Sequence, residues 1–218
     1  SGAGRTGSNA VVNENGLVYF LSTGPSDGPG DNGPGISGFL ELPYVGMTAA
    51  SVPEAEQTLL SLTRANSLNR MLADTAGNAE VLEATRVRSA IRYPENGSYI
   101  VASNIFFNES MKPSQNVWDA QVYYPSAYYR YITAGKMITD NAGTFSYDTA
   151  RKTLALTDWW DGRNWHRDDP WSSNTINRFR PDNVASVYSF IVMPEERTVS
   201  VCTGNPAMPF WGSRAPGQ

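Results

Sequence analysis

The strongest constraint on this 218-residue chain is a block of short apolar runs joined by turns of hairpin length. The runs cover residues 71–74, 79–84, 89–93 and 99–104. They are separated by Thr75-Ala76-Gly77-Asn78, by residues 85–88, and by Pro94-Glu95-Asn96-Gly97. A parallel pair needs a crossover of a dozen or more residues, so turns this short join antiparallel neighbours. The block predicts an antiparallel meander, and a βαβ Rossmann order is excluded with it.

The flanking segments extend that picture. Residues 9–12 and 17–21 read as a hairpin turning through Asn13-Glu14-Asn15-Gly16, since Asn and Gly tolerate positive φ. A loop rich in Gly, Pro, Asp and Asn follows over residues 24–38. Loops of that length are commonly functional. Ser51-Val52-Pro53-Glu54 has the form of a capping box, and Val52, Ala55, Leu59 and Leu62 give the helix after it one apolar stripe, ending near Asn66. Helical zones are also expected over residues 127–138 and 146–156. A Trp-rich polar loop covers 158–182. A closing hairpin pairs 186–193 with 198–203 through Pro194-Glu195-Glu196-Arg197. Strands, then helices, then strands again indicate an α+β domain, taken here as one unit over residues 1–218.

Composition removes several classes of function. A net charge of −4 offers no basic field for nucleic acid or an anionic membrane surface. The apolar runs are too short to span a bilayer. Cys202 is the only cysteine, so no internal disulfide and no CxxC site exists. The chain does not begin with Met and shows no signal peptide, which leaves cytoplasmic and secreted locations both open.

Several stretches, taken in order, carry a resemblance. They are Asn13-Glu14-Asn15-Gly16-Leu17, "ASVPEAEQTLL", "NRMLADTAGNAEVLEAT", "YIVASNIFF", "PSAYYRYI" and "ASVYSFIVMPEERTVSVCTGNP". Together they resemble the acyl-CoA:isopenicillin-N acyltransferase-like (acyl-coenzyme A:6-aminopenicillanic acid acyltransferase) family of N-terminal nucleophile (Ntn) hydrolases. The resemblance implies an αββα four-layer sandwich of antiparallel sheets and no cofactor. It implies hydrolysis or N-acyl transfer at a linear amide of a small molecule, through an acyl-enzyme on a residue unmasked by autoproteolysis. A terminal nucleophile carries its own base, because an α-amino group titrates near pKa ~7.7–8.0.

The resemblance also bears on single residues. It makes Asn104, in the triplet Ser103-Asn104-Ile105, an oxyanion donor through its side-chain amide; the residue alone could equally be a strand-end Asn bonding its own turn. The family's neighbouring His is Ile105 here. Arg130 would bind a substrate carboxylate or, in the preferred reading, anchor its helix. Arg178 and Arg180 are weaker substitutes for an Arg that the family carries near the closing hairpin. Glu83 matches a strand acid and is expected to be structural. Glu80, three residues earlier, must face the other side of the sheet.

In the family the Asn-x-x-Gly-Leu hairpin lies tens of residues after the nucleophile, whereas here it falls within the first twenty residues. The expectation is a chain lacking the nucleophile segment, by truncation or because autocleavage makes that segment a separate N-terminal subunit. The alternative is a complete enzyme with Ser1 as nucleophile, against which the glycines at 2 and 4 argue by loosening the start. A third reading is a non-catalytic glycan- or ligand-binding module stacking sugars on Trp159, Trp160, Trp165 and Trp171. Asp158, Asp161, Asp168 and Asp169 crowd the same loop without an EF-hand spacing, and His166 is the sole histidine. A metal role for that loop is therefore disfavoured, and tryptophans pinning a loop to its body is the simpler reading.

Overall fold

The computed structural model describes residues 9–115, 119–167, 169, 172–178, 186, 188–207 and 211–214. Two compact units emerge: the described residues up to Gln115, with Pro194–Arg197, make the first, and the other described residues from Asp119 onward make the second.

In the first unit five strands form one antiparallel sheet in chain order: β1 (Ala10–Val12), β2 (Val18–Thr23), β3 (Leu68–Ala73), β4 (Ala79–Ala84) and β5 (Ser89–Arg92). The β1–β2 turn is built as its sequence requires, with Gly16 at φ 83°. Asn13 holds it from inside: its Oδ1 accepts from the backbone N–H groups of Asn15 and Leu17, at 3.1 and 3.0 Å. Its Nδ2 donates to the carbonyls of Gly46 and Ala49.

Those carbonyls close a helix that the sequence reading left unassigned, α1 (Gly38–Thr48). Gly38, Pro43 and Gly46 obscure it, yet Gly38, Glu41, Leu42 and Val45 recur at helical spacing and are buried. The next helix, α2 (Val52–Ser61), stops short of Asn66. Its capping box is half formed. Glu54 accepts from the Ala50 N–H, but the Ser51 hydroxyl makes no cap, and Asp74 takes the Val52 N–H instead at 2.9 Å. Strand and helix residues then share one core of Leu17, Tyr19, Leu42, Val45, Val52, Ala55, Leu59, Leu72, Leu82 and Ala84.

Strand register sorts the polar residues between the two faces. The row Leu21–Arg70–Leu82 lies on the helix side, where Arg70 forks onto Glu41 of α1 at 2.7 and 2.9 Å with both side chains fully buried. Tyr19 donates its hydroxyl to the same carboxylate. The adjacent row, Ser22–Asn69–Glu83, lies on the opposite side, because side chains alternate along each strand. Glu80 and Glu83 therefore do face apart.

The expected fourth strand of the meander does not form. Residues 99–104 make a single bridge, Glu95 to Tyr99, and then leave the sheet. Side chains replace a strand partner for the segment that follows. The Ser103 carbonyl accepts from Ser22 Oγ (3.1 Å) and Asn69 Nδ2 (2.7 Å), and the Ile105 carbonyl from the same Nδ2 (3.2 Å). Phe106 N–H donates to Gln115, and the N–H groups of Phe107 and Asn108 donate to the Glu83 carboxylate. Arg92 binds that carboxylate and also donates to the Val101 carbonyl. Buried backbone must find partners, and here they are the side chains of the polar row together with Arg92 and Gln115.

The second unit contains α3 (Ala120–Tyr123), α4 (Pro125–Asp140) and α5 (Tyr147–Leu154). A four-residue turn joins β6 (Trp159–Trp160) to β7 (Trp165–His166) in a short hairpin inside the expected loop. The closing hairpin, β8 (Tyr188–Met193) with β9 (Thr198–Thr203), gains an unforeseen third strand, β10 (Trp211–Arg214).

Candidate active site

Where β2 ends, the first unit opens into a cavity of about 660 Å³. Its wall comprises Ser22, Thr23 and Gly24, the 24–38 loop through Ser26 and Asn32, the start of α1, residues 66–68, and Asn104. The loop is rigidly fixed at its centre. Asp31, buried, accepts from Gly28 N–H, from Ser114 Oγ and from Arg88, all within 2.9 Å. Two glycines let the wall close up: a Cβ at Gly24 would lie 2.6 Å from the Phe106 ring, and one at Gly38 2.3 Å from Leu68. Among the described residues that line it, none is Asp, Glu, Lys, Arg or His.

Asn104 stands exposed on this rim. Its Nδ2 lies 3.0 Å from Ser22 Oγ and 3.0 Å from the Thr23 carbonyl, so the amide is aimed along the end of β2. Among the described residues the nearby hydroxyls meet no base: Ser22 Oγ donates to a backbone carbonyl, as does Ser67 Oγ, to that of Pro25. Cys202 is buried, with Sγ directed at the carbonyls of Gly204 and Asn205, a poor setting for a thiolate.

The other named residues belong to the second unit or lie outside the described residues. Ser1, Asp168, Trp171 and Arg180 are in the latter group. Arg130 is mostly sheltered on α4, its Nε donating to the Ser126 carbonyl. Arg178 donates to the Ser126 hydroxyl, and that hydroxyl donates to the Ser173 carbonyl. Burial first, and Arg178 second, push the Arg130 guanidinium down to about 10.

Trp160 is pinned to α4 by its own N–H, which donates to Thr133 Oγ1 at 2.9 Å. Its ring is covered by Lys136 at 5.3 Å and tilts against Trp165, which carries Arg167 at 5.1 Å. Trp159 stacks on His166 at 3.9 Å and meets Tyr129. The hairpin therefore presents rings already engaged by its own side chains and by those of α4. Asp161 organises its turn, and is held down to about 2 by the backbone N–H of Asn164, by His166 and by the N–H of Arg163. Among the described residues no three His, Cys, Asp or Glu side chains are grouped to hold a metal, and no helix is long and apolar enough to cross a membrane.

Solved structures share this architecture. Penicillin V acylase from Agrobacterium tumefaciens matches 90% of the chain at a TM-score of 0.51 and 15% identity. Two variants of conjugated bile acid hydrolase from Clostridium perfringens match 95% and 96% of it, each at 0.55 and 12%. The chain spans 63% of the acylase and 77% of either hydrolase. These are Ntn-hydrolase folds, and the antiparallel sheets with their helices fit that α+β sandwich. No curated protein sequence matches the chain. The family model for acyl-coenzyme A:6-aminopenicillanic acid acyl-transferase matches residues 3–208, and the chain belongs to that family.

Proposed function

We propose that the protein cleaves, or transfers the acyl group of, a linear amide through an acyl-enzyme, with the Asn104 side-chain amide in the oxyanion hole. One observation carries this reading: a primary amide, held at the rim of a cavity of about 660 Å³, with its N–H groups directed along the end of β2. A fixed donor in a sheltered site stabilises a tetrahedral oxyanion without reorganising, worth roughly 2.7–4 kcal/mol. On attack, one Asn104 N–H exchanges its bond to the neutral Ser22 hydroxyl for the stronger bond to the anion.

The nucleophile is an N-terminal residue outside the described residues. The sequestered thiol of Cys202 and the base-free hydroxyls of Ser22 and Ser67 support that placement, and so does His166, engaged with Asp161 in the Trp hairpin. Its α-amino group serves as base, taking the nucleophile's proton and returning it to the leaving amine. Water or a second amine then releases the acyl group. A cavity lined by neutral amides, hydroxyls and the apolar Leu21, Phe39 and Leu68 suits an uncharged acyl chain.

Turnover of a panel of N-acyl amides with neutral and with anionic acyl groups tests this. Asn104→Ala is expected to lower kcat by about 10²–10³ on neutral substrates. Unchanged turnover in that variant would remove Asn104 from the mechanism. Loss on Ser1→Ala would assign Ser1 as the nucleophile, and activity untouched by that change would exclude it.

A further inference from the structure

The oxyanion reading of Asn104 raises a mechanical question: what fixes a loop residue well enough for catalysis? Its own segment has no strand partner. A site loosened by about 1 Å loses on the order of 10²-fold in rate.

We propose that Asn69 is the positioning residue of this site, clamping the backbone on both sides of Asn104. Its Nδ2 has two protons, and the two carbonyls in reach are those of Ser103, at 2.7 Å, and Ile105, at 3.2 Å. One side-chain amide thus grips the residue before Asn104 and the residue after it. Ser22, opposite Asn69 in the sheet, completes the arrangement. It donates to the Ser103 carbonyl and accepts from Asn104 Nδ2, so clamp and donor meet at one hydroxyl.

Placement in the sheet makes the clamp rigid. Asn69 is 1% exposed near the start of β3, the middle strand of the sheet, with β2 and β4 paired on either side. It belongs to the row Ser22–Asn69–Glu83, whose third member holds Phe107 and Asn108. The position is not explained by stability alone. Asn69 Oδ1 is buried without a hydrogen-bond partner among the described residues, a costly state for a polar atom that an aliphatic side chain of similar size would not create. A residue that gives up stability while gripping both neighbours of a candidate donor is doing a positional job.

The test is Asn69→Leu in the full chain. It is assayed on the neutral amide substrate beside Asn104→Ala, with nitrogen-15 NMR of the Asn104 side-chain amide as a second readout. The fold measured by circular dichroism should persist. We expect kcat to fall at least tenfold, KM to change less than threefold, and the Asn104 amide signals to move. Asn104 signals that superimpose on those of the unaltered protein would overturn the proposal, as would an unchanged kcat where Asn104→Ala abolishes turnover. If Asn104→Ala is itself fully active, the oxyanion reading falls, and the NMR shift alone decides whether Asn69 positions Asn104. Should Asn69→Leu not fold, Asn69→Ser goes through the same measurements; it keeps one donor, and a smaller shift is expected.

Discussion

The two units place their charges differently. In the first, Glu41, Arg70, Glu83 and Asp31 are buried, and each bonds a guanidinium, a carboxylate or backbone amides at short range. In the second, Lys136–Asp140, Arg151–Asp148 and Arg167–Asp158 all have at least one partner well exposed, while cations rest on tryptophan rings. The same residue types thus serve as framework in one region and as surface dressing in the other. Desolvation makes the difference: a buried ion left alone is heavily penalised, whereas an exposed one is rehydrated by water.

Single substitutions should expose that contrast. Glu41→Ala strands the fully buried Arg70 and is expected to cost about 3–5 kcal/mol in urea unfolding. Replacing both partners, Glu41→Leu with Arg70→Met, should recover most of the loss; a double variant no more stable than the single one would break the comparison. Next comes acidity. Burial first, and Glu56 on α2 second, push the Glu80 carboxyl up from 4.5 to about 7. The folded state then keeps a proton that the unfolded chain has released, so between pH 4.5 and 7 stability falls by about 1.4 kcal/mol per pH unit. Thermal unfolding across that range checks the slope, and Glu80→Gln should flatten it. Smallest is Asp140→Ala, which opens an exposed i,i+4 pair and should cost less than about 0.5 kcal/mol.

Local chemistry was legible wherever one stretch of chain decides its own shape. The Asn13–Gly16 turn, the alternation of β3 and β4, and the stripe of α2 could all be read directly. Two kinds of feature could not. Helix α1 carries two glycines and Pro43, so its propensity argues against it while burial of Leu42 and Val45 enforces it. Residues 99–104 show strand-like alternation, yet residues 101–108 take as partners Gln115 and side chains from β2, β3, β4 and β5, and no periodicity announces these. Asn104 was visible through resemblance. The residue that grips its neighbours was hidden in a strand, indistinguishable there from any other polar position.

The segment suspended from Ser22, Asn69, Glu83 and Gln115 has a consequence for how such a site is inherited. The shape of residues 103–108 is specified by side chains 34 to 36 positions away, as with Asn69, or 24 and 25, as with Glu83. Information about the rim is therefore stored in the sheet beneath it. A lineage could redraw the pocket by changing one strand residue while the loop itself stayed letter for letter the same.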